Sequence, residues 1–515
     1  MKGEYEYTRF LPSVIQANDM KYLAGIDVGT TGVKCIIIGQ DGKLQSSCTE
    51  SYPYYTPNPG WSEQDPSDWY KATKEAMKKA VEKSGADKKD IIALGFSGQM
   101  HGLVALDDND NVIRPSILWN DQRTDEECKE IIAAAGGLEK LLDMTNNTML
   151  TGYTGGKILW LRKHEPENFK RMRSFLMPKD YVRYCITGQK ATDASDASGT
   201  GLFDVGKRKW SDQLISILGL DKSIFPKVYE SDEVAGYVSK DADIGLAEGT
   251  PVYAGGGDAV IQTTGMGIVK EGTIGIIIGT SGIVSMSLDS FGRNTGGLLQ
   301  YFCNNDRNKW QAFGCQLSSG GSMEWVHDSL YPGESFKDLD AIASKSPAGS
   351  NNLLFLPYLT GERCPYADPY AKGVFFGLTR SHGKGDIIRS VMEGVTLGLR
   401  DIYELILNAN PKMKPTEIIS SGGGSRSPLW RQIQADIFGL PVKTLTGAAE
   451  GGAYGAAIVA GVGAGIWRNI EDAAECLEDE TLTMPIEENS KAYEKLYPVY
   501  RGLYSDLKNR FRELG

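Results

Sequence analysis

Three short stretches of the chain carry residue types that could do chemistry together. Asp258 closes the run Gly255-Gly256-Gly257-Asp258. Glycines lack a Cβ and let another body come close to the backbone. A carboxylate at the end of such a loop is a candidate acceptor for the proton of a substrate hydroxyl. The apolar run Ile274 to Ile278 breaks into Gly279-Thr280-Ser281-Gly282, and the run Tyr22 to Asp27 breaks into Gly29-Thr30-Thr31-Gly32. A turn of this kind presents backbone N–H groups and two hydroxyls to one point, which suits a phosphate. Asp27, just ahead of the first turn, is a hard oxygen ligand that could orient Mg2+ through water, because Mg2+ keeps several waters and takes few protein carboxylates. The third stretch is Gly422-Gly423-Gly424-Ser425-Arg426, after the strand-like Glu417 to Ser420 and before Ser427-Pro428, a helix cap and first-turn proline. Strand, glycine loop and positive helix end together form an anion site. A lone turn would fit an ordinary hairpin; two copies and a glycine loop point to the phosphates of a nucleotide. The candidate nucleotide set is Gly29, Thr30, Thr31, Lys34, Gly279, Thr280, Ser281, Gly422, Gly423, Gly424 and Ser425. No G-x-x-x-x-G-K-[ST] run is present, so the site is not a P-loop.

A second group belongs to a substrate. The strand pattern Ile91 to Phe96 delivers Ser97-Gly98-Gln99-Met100-His101-Gly102, and Ser116 to Trp119 delivers Asn120-Asp121-Gln122-Arg123. The ends of strands in α/β sheets are where ligands bind. Gln99, Met100, His101 and Asp121 are the candidate substrate contacts, with Asp258. A histidine between glycines at a strand end offers a donor and an acceptor to substrate hydroxyls, although a satisfied core histidine fits the same pattern. Arg363 and Arg426 could meet phosphate or only solvent. Asp193 to Thr200 reads as a polar, small-residue loop.

The elements that position these residues form two halves. The 515 residues are too many for one core. The two turns stand about 250 residues apart, each between apolar runs that read as strands buried on both faces. A repeat at half-chain spacing predicts two similar α/β lobes facing each other. Helices are expected over 66–85, 152–165, 386–408, 429–438 and 451–461, the last made of small residues that can lie close on a sheet. Polar helices are expected from Trp467 onward. The expected boundaries are an extension over 1–20, a substrate-binding lobe over 21–252, a nucleotide-binding lobe over 253–470 and a helical segment over 471–515. The 61 glycines, about 12% against an ordinary 7% or so, cluster beside apolar runs as turns near ligands do. A net charge of −11 argues against nucleic acid or an anionic membrane as partner. Eight scattered cysteines without a C-x-x-C pair, and no signal-peptide or membrane-span pattern, predict a reduced, cytoplasmic protein. A homodimer is left open.

These residues also carry a resemblance. Gly25 to Gly32, Gly60-Trp61-Ser62-Glu63-Gln64-Asp65-Pro66, Ser97 to Gly102, Leu118 to Arg123, Pro178-Lys179-Asp180-Tyr181, Gly255 to Asp258 and Gly373 to Leu378 resemble the FGGY family of carbohydrate kinases over nearly the whole chain from about Lys21. The resemblance implies two ribonuclease-H-like lobes of the actin/hexokinase type around a central cleft, with sugar deep in it and ATP across it. It implies Asp258 as the base, Asp27 near Mg2+, and Met100 with His101 at the sugar. The substrate it implies first is D-xylulose, phosphorylated at O5; ribulose, glycerol or gluconate are the alternatives. The family's xylulose-phosphorylating members commonly carry Asn after the catalytic Asp, where this chain has Ala259. Gln262, one turn further on if that segment is helical, or a bridging water could replace the contact. An actin- or chaperone-like ATPase would share the turns but leave 97–102 and 118–123 without a task. A transcription regulator on a kinase fold would need a basic DNA-binding segment, which the first 20 residues do not offer.

Overall fold

The structure, a computed structural model, describes residues 20–446 and 450–515. The extension expected over 1–20 therefore lies, except for its last residue, outside the described residues.

Two seven-stranded sheets carry the molecule. In the first, Leu44–Ser51, Gly32–Gly39 and Tyr22–Val28 run antiparallel in that order. Ile91–Gly98 and Pro251–Tyr253 follow parallel to Tyr22–Val28, and Val234–Tyr237 closes the edge antiparallel. The short strand Gly256–Gly257 extends this sheet beside Ser97 and Gly98. The second sheet repeats the plan. Trp310–Gln316, Gly282–Leu288 and Thr273–Ile278 are antiparallel, with Gln300–Cys303 added outside them. Glu417–Gly422 and Val442–Leu445 are parallel, and Asp479–Thr483 is the antiparallel edge. The two similar lobes expected from the paired turns are present, in the ribonuclease-H-like form that the family resemblance implies.

Residues such as Ile26, Ile36, Ile276 and Ile418 are fully buried because helices cover both faces of the central strands. Helix Pro66–Ser84 begins at the cap Asp65, which accepts the Ser67 N–H, and buries Trp69 and Met77 against the first sheet. Helix Gly451–Gly463, late in the chain, lies across the opposite face of that same sheet. A Cβ on Gly25 would fall 2.0 Å from the Ala453 carbonyl oxygen, and one on Gly95 1.9 Å from that of Ala456. Only glycine permits this backbone-to-backbone approach. The same helix meets helix Asp258–Gly265, where Gly265 and Gly455 allow equally close contact. This helix pair ties the two halves together beneath the cleft.

Two local expectations need correction. The chain after Trp467 is not all helix: Asp479–Thr483 is an edge strand paired with Val442–Leu445, held by the sheet rather than by helical propensity. Asp193 to Thr200 is not an exposed loop. Ala191–Asp193 is a strand, Asp193 caps the short helix Ala194–Ser198, and the segment is buried throughout. Its carboxylates can be buried because cations are buried with them. Lys179 Nζ lies 2.6 Å from Asp180, 2.7 Å from Asp193 and 3.0 Å from Asp196, and Arg183 lies 3.1 Å from Asp180.

Candidate active site

Asp258 is the first residue of helix Asp258–Gly265, half-buried, and not part of an exposed loop as the glycine run suggests. Gly257, its neighbour, is held by the sheet on one side and by Ser195 on the other: the Gly257 N–H donates to Ser195 Oγ (3.1 Å), which donates to Asp193 (2.5 Å). The buried ion cluster therefore sets where the helix, and Asp258 with it, begins. Asp258 Oδ1 accepts the Ala259 N–H (2.7 Å). Burial pushes the Asp258 carboxyl up to about 7, and the nearby negative charge of Asp27 adds to the rise. Asp27 is raised too, by burial, against the Ser97 hydroxyl that donates to its Oδ1 (2.8 Å) and the charge of Lys34. Its other oxygen lies beside Gly452 in the first turn of helix Gly451–Gly463, where a Cβ would come within 2.6 Å. A positive helix end therefore faces this carboxylate. Lys34 pairs with Glu450 (3.2 Å).

The sugar-side candidates separate into two groups. Met100 packs against Gly257, the residue before Asp258, and His101 follows it: a Cβ on Gly257 would meet the Met100 sulfur at 2.5 Å. His101 takes a left-handed backbone, φ 70°, costly for a residue with a Cβ. Its carbonyl is fixed by Lys157 Nζ (2.7 Å) and Thr154 Oγ1 (3.1 Å). The ring lies tilted against Tyr153 and edge-on to Phe302, and its Nδ1 lies 2.6 Å from the Gly199 carbonyl oxygen. Burial, with help from Lys157 and Arg363, lowers His101 to about 3, so the ring is neutral. A carbonyl can only accept, so Nδ1 carries the proton and Nε2 is left as an acceptor.

Gln99 and Asp121 are buried and engaged by other side chains. Gln99 is buried behind the first turn, donating to Gln64 (3.0 Å), which in turn donates to the Thr30 carbonyl (2.7 Å). Asp121 is fully buried. Its oxygens accept from the Ser62 N–H (2.6 Å), the Arg123 N–H and Nε (2.9 Å each) and a terminal Arg123 nitrogen (2.7 Å). Both side chains brace the site from behind. Gln262 is helical as supposed but lies against Gly451, away from Ala259. A side-chain amide that does approach Ala259 is that of Gln311, whose Nε2 lies 3.5 Å from the Ala259 carbonyl oxygen.

The nucleotide-side candidates fall into two sets, one in each lobe. Gly279, Thr280, Gly423 and Gly424 line one cavity of about 820 Å3, with Phe336, Met392, Arg426 and Trp430 among its other walls. Gly424 presses on Ile278, where a Cβ would come within 2.7 Å of the side chain. Ser427 caps the following helix, accepting the Trp430 N–H at 2.9 Å, as its position before Pro428 suggests. Ser425 turns its hydroxyl back to the Gly422 carbonyl (2.8 Å). The first turn, with Gly29, Thr30, Thr31 and Lys34, belongs to the other lobe, beside Asp27.

Lys157, Lys179 and Ser195 are the residues that sequence reasoning missed. A lysine fully buried against an apolar helix face is visible in the sequence only as a break in that face, at Lys157 amid Gly156 and Ile158. Burial holds it down to about 7.

Residues 22–265 match the N-terminal domain, and residues 274–464 the C-terminal domain, of the FGGY family of carbohydrate kinases. A xylulose kinase of Bacillus subtilis (strain 168) is 37% identical over 493 residues, 95% of this chain and 98% of the relative. Among solved structures, a xylulose kinase from Rhodospirillum rubrum superposes with a TM-score of 0.89 at 27% identity, covering 96% of this chain and 100% of the other. A gluconate kinase from Lactobacillus acidophilus does so with the same score, identity and coverage.

Proposed function

The chain belongs to the FGGY family of carbohydrate kinases, and we propose that the sugar it phosphorylates is D-xylulose, at O5, with Asp258 as general base. The observation that carries the base assignment is its setting. Asp258 is half-buried at a helix start, raised to about 7, beside Met100 and a neutral His101 and next to a second carboxylate. A base poised near the working pH is the efficient choice for a hydroxyl whose proton leaves late in the transfer.

Phosphoryl transfer asks the protein mainly for positioning and charge stabilisation. His101 Nε2 accepts from a sugar hydroxyl, and its strained backbone, held by Lys157 and Thr154, fixes where that acceptor points. Met100 packs the apolar face of the sugar against Gly257. Asp258 takes the proton of the attacking hydroxyl. Gln99 and Asp121 act indirectly, as props for the first turn and for the 118–123 loop. The glycine turn at 279–282 and the loop at 422–425 bring backbone N–H groups to the nucleotide, and the cavity behind them has the size of a nucleoside site. Closure of the lobes excludes water, the competing nucleophile.

Mg2+, which the family implies, fits this donor set: the second Asp27 oxygen accepts no hydrogen bond from the described residues, and hard carboxylate oxygens suit it. When bound with ATP it would neutralise phosphate charge. Asp27 and ordered water would hold it.

D-xylulose is favoured over gluconate by the identity of the curated xylulose kinases, 37% for that of Bacillus subtilis against 28% for a gluconokinase of the same organism. Ala259 in place of the usual Asn removes one orienting contact, so related ketoses should follow within about two orders of magnitude in kcat/KM. ADP release over a panel of D-xylulose, ribulose, gluconate and glycerol tests the assignment. The expected order puts D-xylulose first, with little release when sugar is omitted. A clear preference for gluconate, glycerol or ribulose would overturn the choice of sugar.

A further inference from the structure

Arg363 has no task in the transfer described above, yet its place is closely fixed. Its loop leaves the second lobe through Thr360, whose hydroxyl pairs with that of Ser318 (2.9 Å). Glu362 accepts the N–H of Leu317 (3.0 Å) and of Arg363 itself (2.7 Å), and its backbone pairs with that of Asp368 in both directions at 2.8 Å. Leu317 follows strand Trp310–Gln316, in which Gln316 and Cys315 lie opposite Gly282 and Ile283. Those two residues come straight after the turn 279–281. The loop thus holds Arg363 beside the second phosphate turn.

The side chain is exposed, and among the described residues its guanidinium donates no hydrogen bond and joins no ion pair. Glu362 is near enough for its charge to feel that of Arg363, but its carboxylate is turned to backbone N–H groups and forms no ion pair with the guanidinium. Its charge reaches groups on both sides of the cleft: Cys315 in the second lobe, and His101 and Tyr153 in the first. A cation between the phosphate turn and the sugar pocket lies on the path of the transferred group. Other cations nearby are engaged, Lys34 with Glu450 and Lys157 with the carbonyls of His101 and Gly152. Asp27 and Asp258 already make the locus negative, and a phosphoryl in transit adds to that charge. A planar guanidinium presents paired donors that match phosphoryl oxygens.

Resting on the phosphotransfer reading, we propose that Arg363 is the side chain of the second lobe that contacts the transferred phosphoryl group, from ATP through to the sugar phosphate. The new bond joins the sugar oxygen to Pγ as the bond from Pγ to the β-phosphate oxygen breaks. The electron pair of the broken bond leaves with ADP, the hydroxyl proton goes to Asp258, and Arg363 exchanges nothing.

The test is Arg363→Ala, followed by steady-state kinetics and by affinity for D-xylulose 5-phosphate. We expect kcat to fall about 10²–10³-fold, the usual loss for a donor aimed at developing charge. The KM for free sugar should stay within about threefold. Product affinity should drop at least about tenfold, and added guanidinium should restore part of the rate. A structural role would lower Tm and would not be rescued by guanidinium. If Arg363→Ala lowers Tm, Arg363→Gln carries the same two readouts. Unchanged kcat and product affinity, or a loss confined to free-sugar affinity, would overturn the proposal while the wild-type enzyme still phosphorylates sugar. Absence of sugar-dependent ADP release by the wild type would instead overturn the phosphotransfer reading itself.

Discussion

The two lobes place the same strand pair and turn at the cleft and equip them in opposite ways. In the first, Asp27 lies beside Ser97 across parallel strands; in the second, the register sets Ile277 beside Ser421. Where Ser97 donates to a carboxylate, Ser421 faces a hydrocarbon. The strand ends diverge further: Gln99, Met100 and His101 follow Gly98, but Gly423, Gly424 and Ser425 follow Gly422. The turns are braced differently as well. Side chains hold the first, Tyr52 donating to the Gly29 carbonyl, Gln64 to the Thr30 carbonyl and Trp119 to the Thr30 hydroxyl (2.9 Å). Backbone holds the second, with the Gly320 N–H on the Gly279 carbonyl (2.7 Å) and those of Ser319 and Gly321 on the Thr280 carbonyl (2.9 and 3.0 Å). One strand-and-turn plan is thus braced by side chains around a carboxylate in the first lobe, the side proposed to react, and by bare backbone in the second, the side proposed to hold the nucleotide.

The comparison breaks hardest at the carboxylates. Asp258→Asn should keep the fold and nucleotide affinity and lower kcat about 10²–10⁴-fold, read at saturating sugar; near wild-type turnover would mean another base. Asp27→Ile, which gives the first turn the residue of the second, should lower kcat on the order of 10²-fold. For Asp27→Ala part of the rate should return at high Mg2+, whereas Asp258→Asn should not respond. Equal insensitivity of the two to Mg2+ would erase the division between them.

Smaller effects should separate the lobes by substrate. Gly424→Ala drives a Cβ into Ile278, an overpacking of about 1–3 kcal/mol, and should raise the ATP KM at least about fivefold with the sugar KM little changed. His101→Ala should do the reverse, raising the sugar KM about tenfold or less. A rise in both constants for either variant would contradict the assignment. Smallest is the serine pair. Ser97→Ala removes one hydrogen bond, worth about 0.5–1.5 kcal/mol or a 2–13-fold effect on turnover, while Ser421→Ala should change nothing measurable.

What the sequence made legible was local. The two turns, the triglycine loop, the cap at Ser427 and the carboxylates Asp27 and Asp258 all announce themselves through backbone freedom and short spacing. Long-range charge pairing was not legible. Asp193 and Asp196 look like solvated loop residues until Lys179, from another element, is placed among them. Asp121 looks like a free carboxylate at a strand end until Arg123 folds back onto it. In the same way helix Gly451–Gly463 shows its small residues in sequence, but only Gly25 and Gly95 reveal which sheet it lies on.

The central claim, that a half-buried Asp258 takes the hydroxyl proton, is tested most directly by the pH dependence of kcat/KM for D-xylulose with the wild-type enzyme. The base works only when ionised, and burial with the charge of Asp27 holds its carboxyl near 7 in the free enzyme. The rate should therefore be lost as pH falls through about 7, with a slope of one, to reach about a hundredth of the plateau two units below. A profile flat from pH 5 to pH 8 would contradict it.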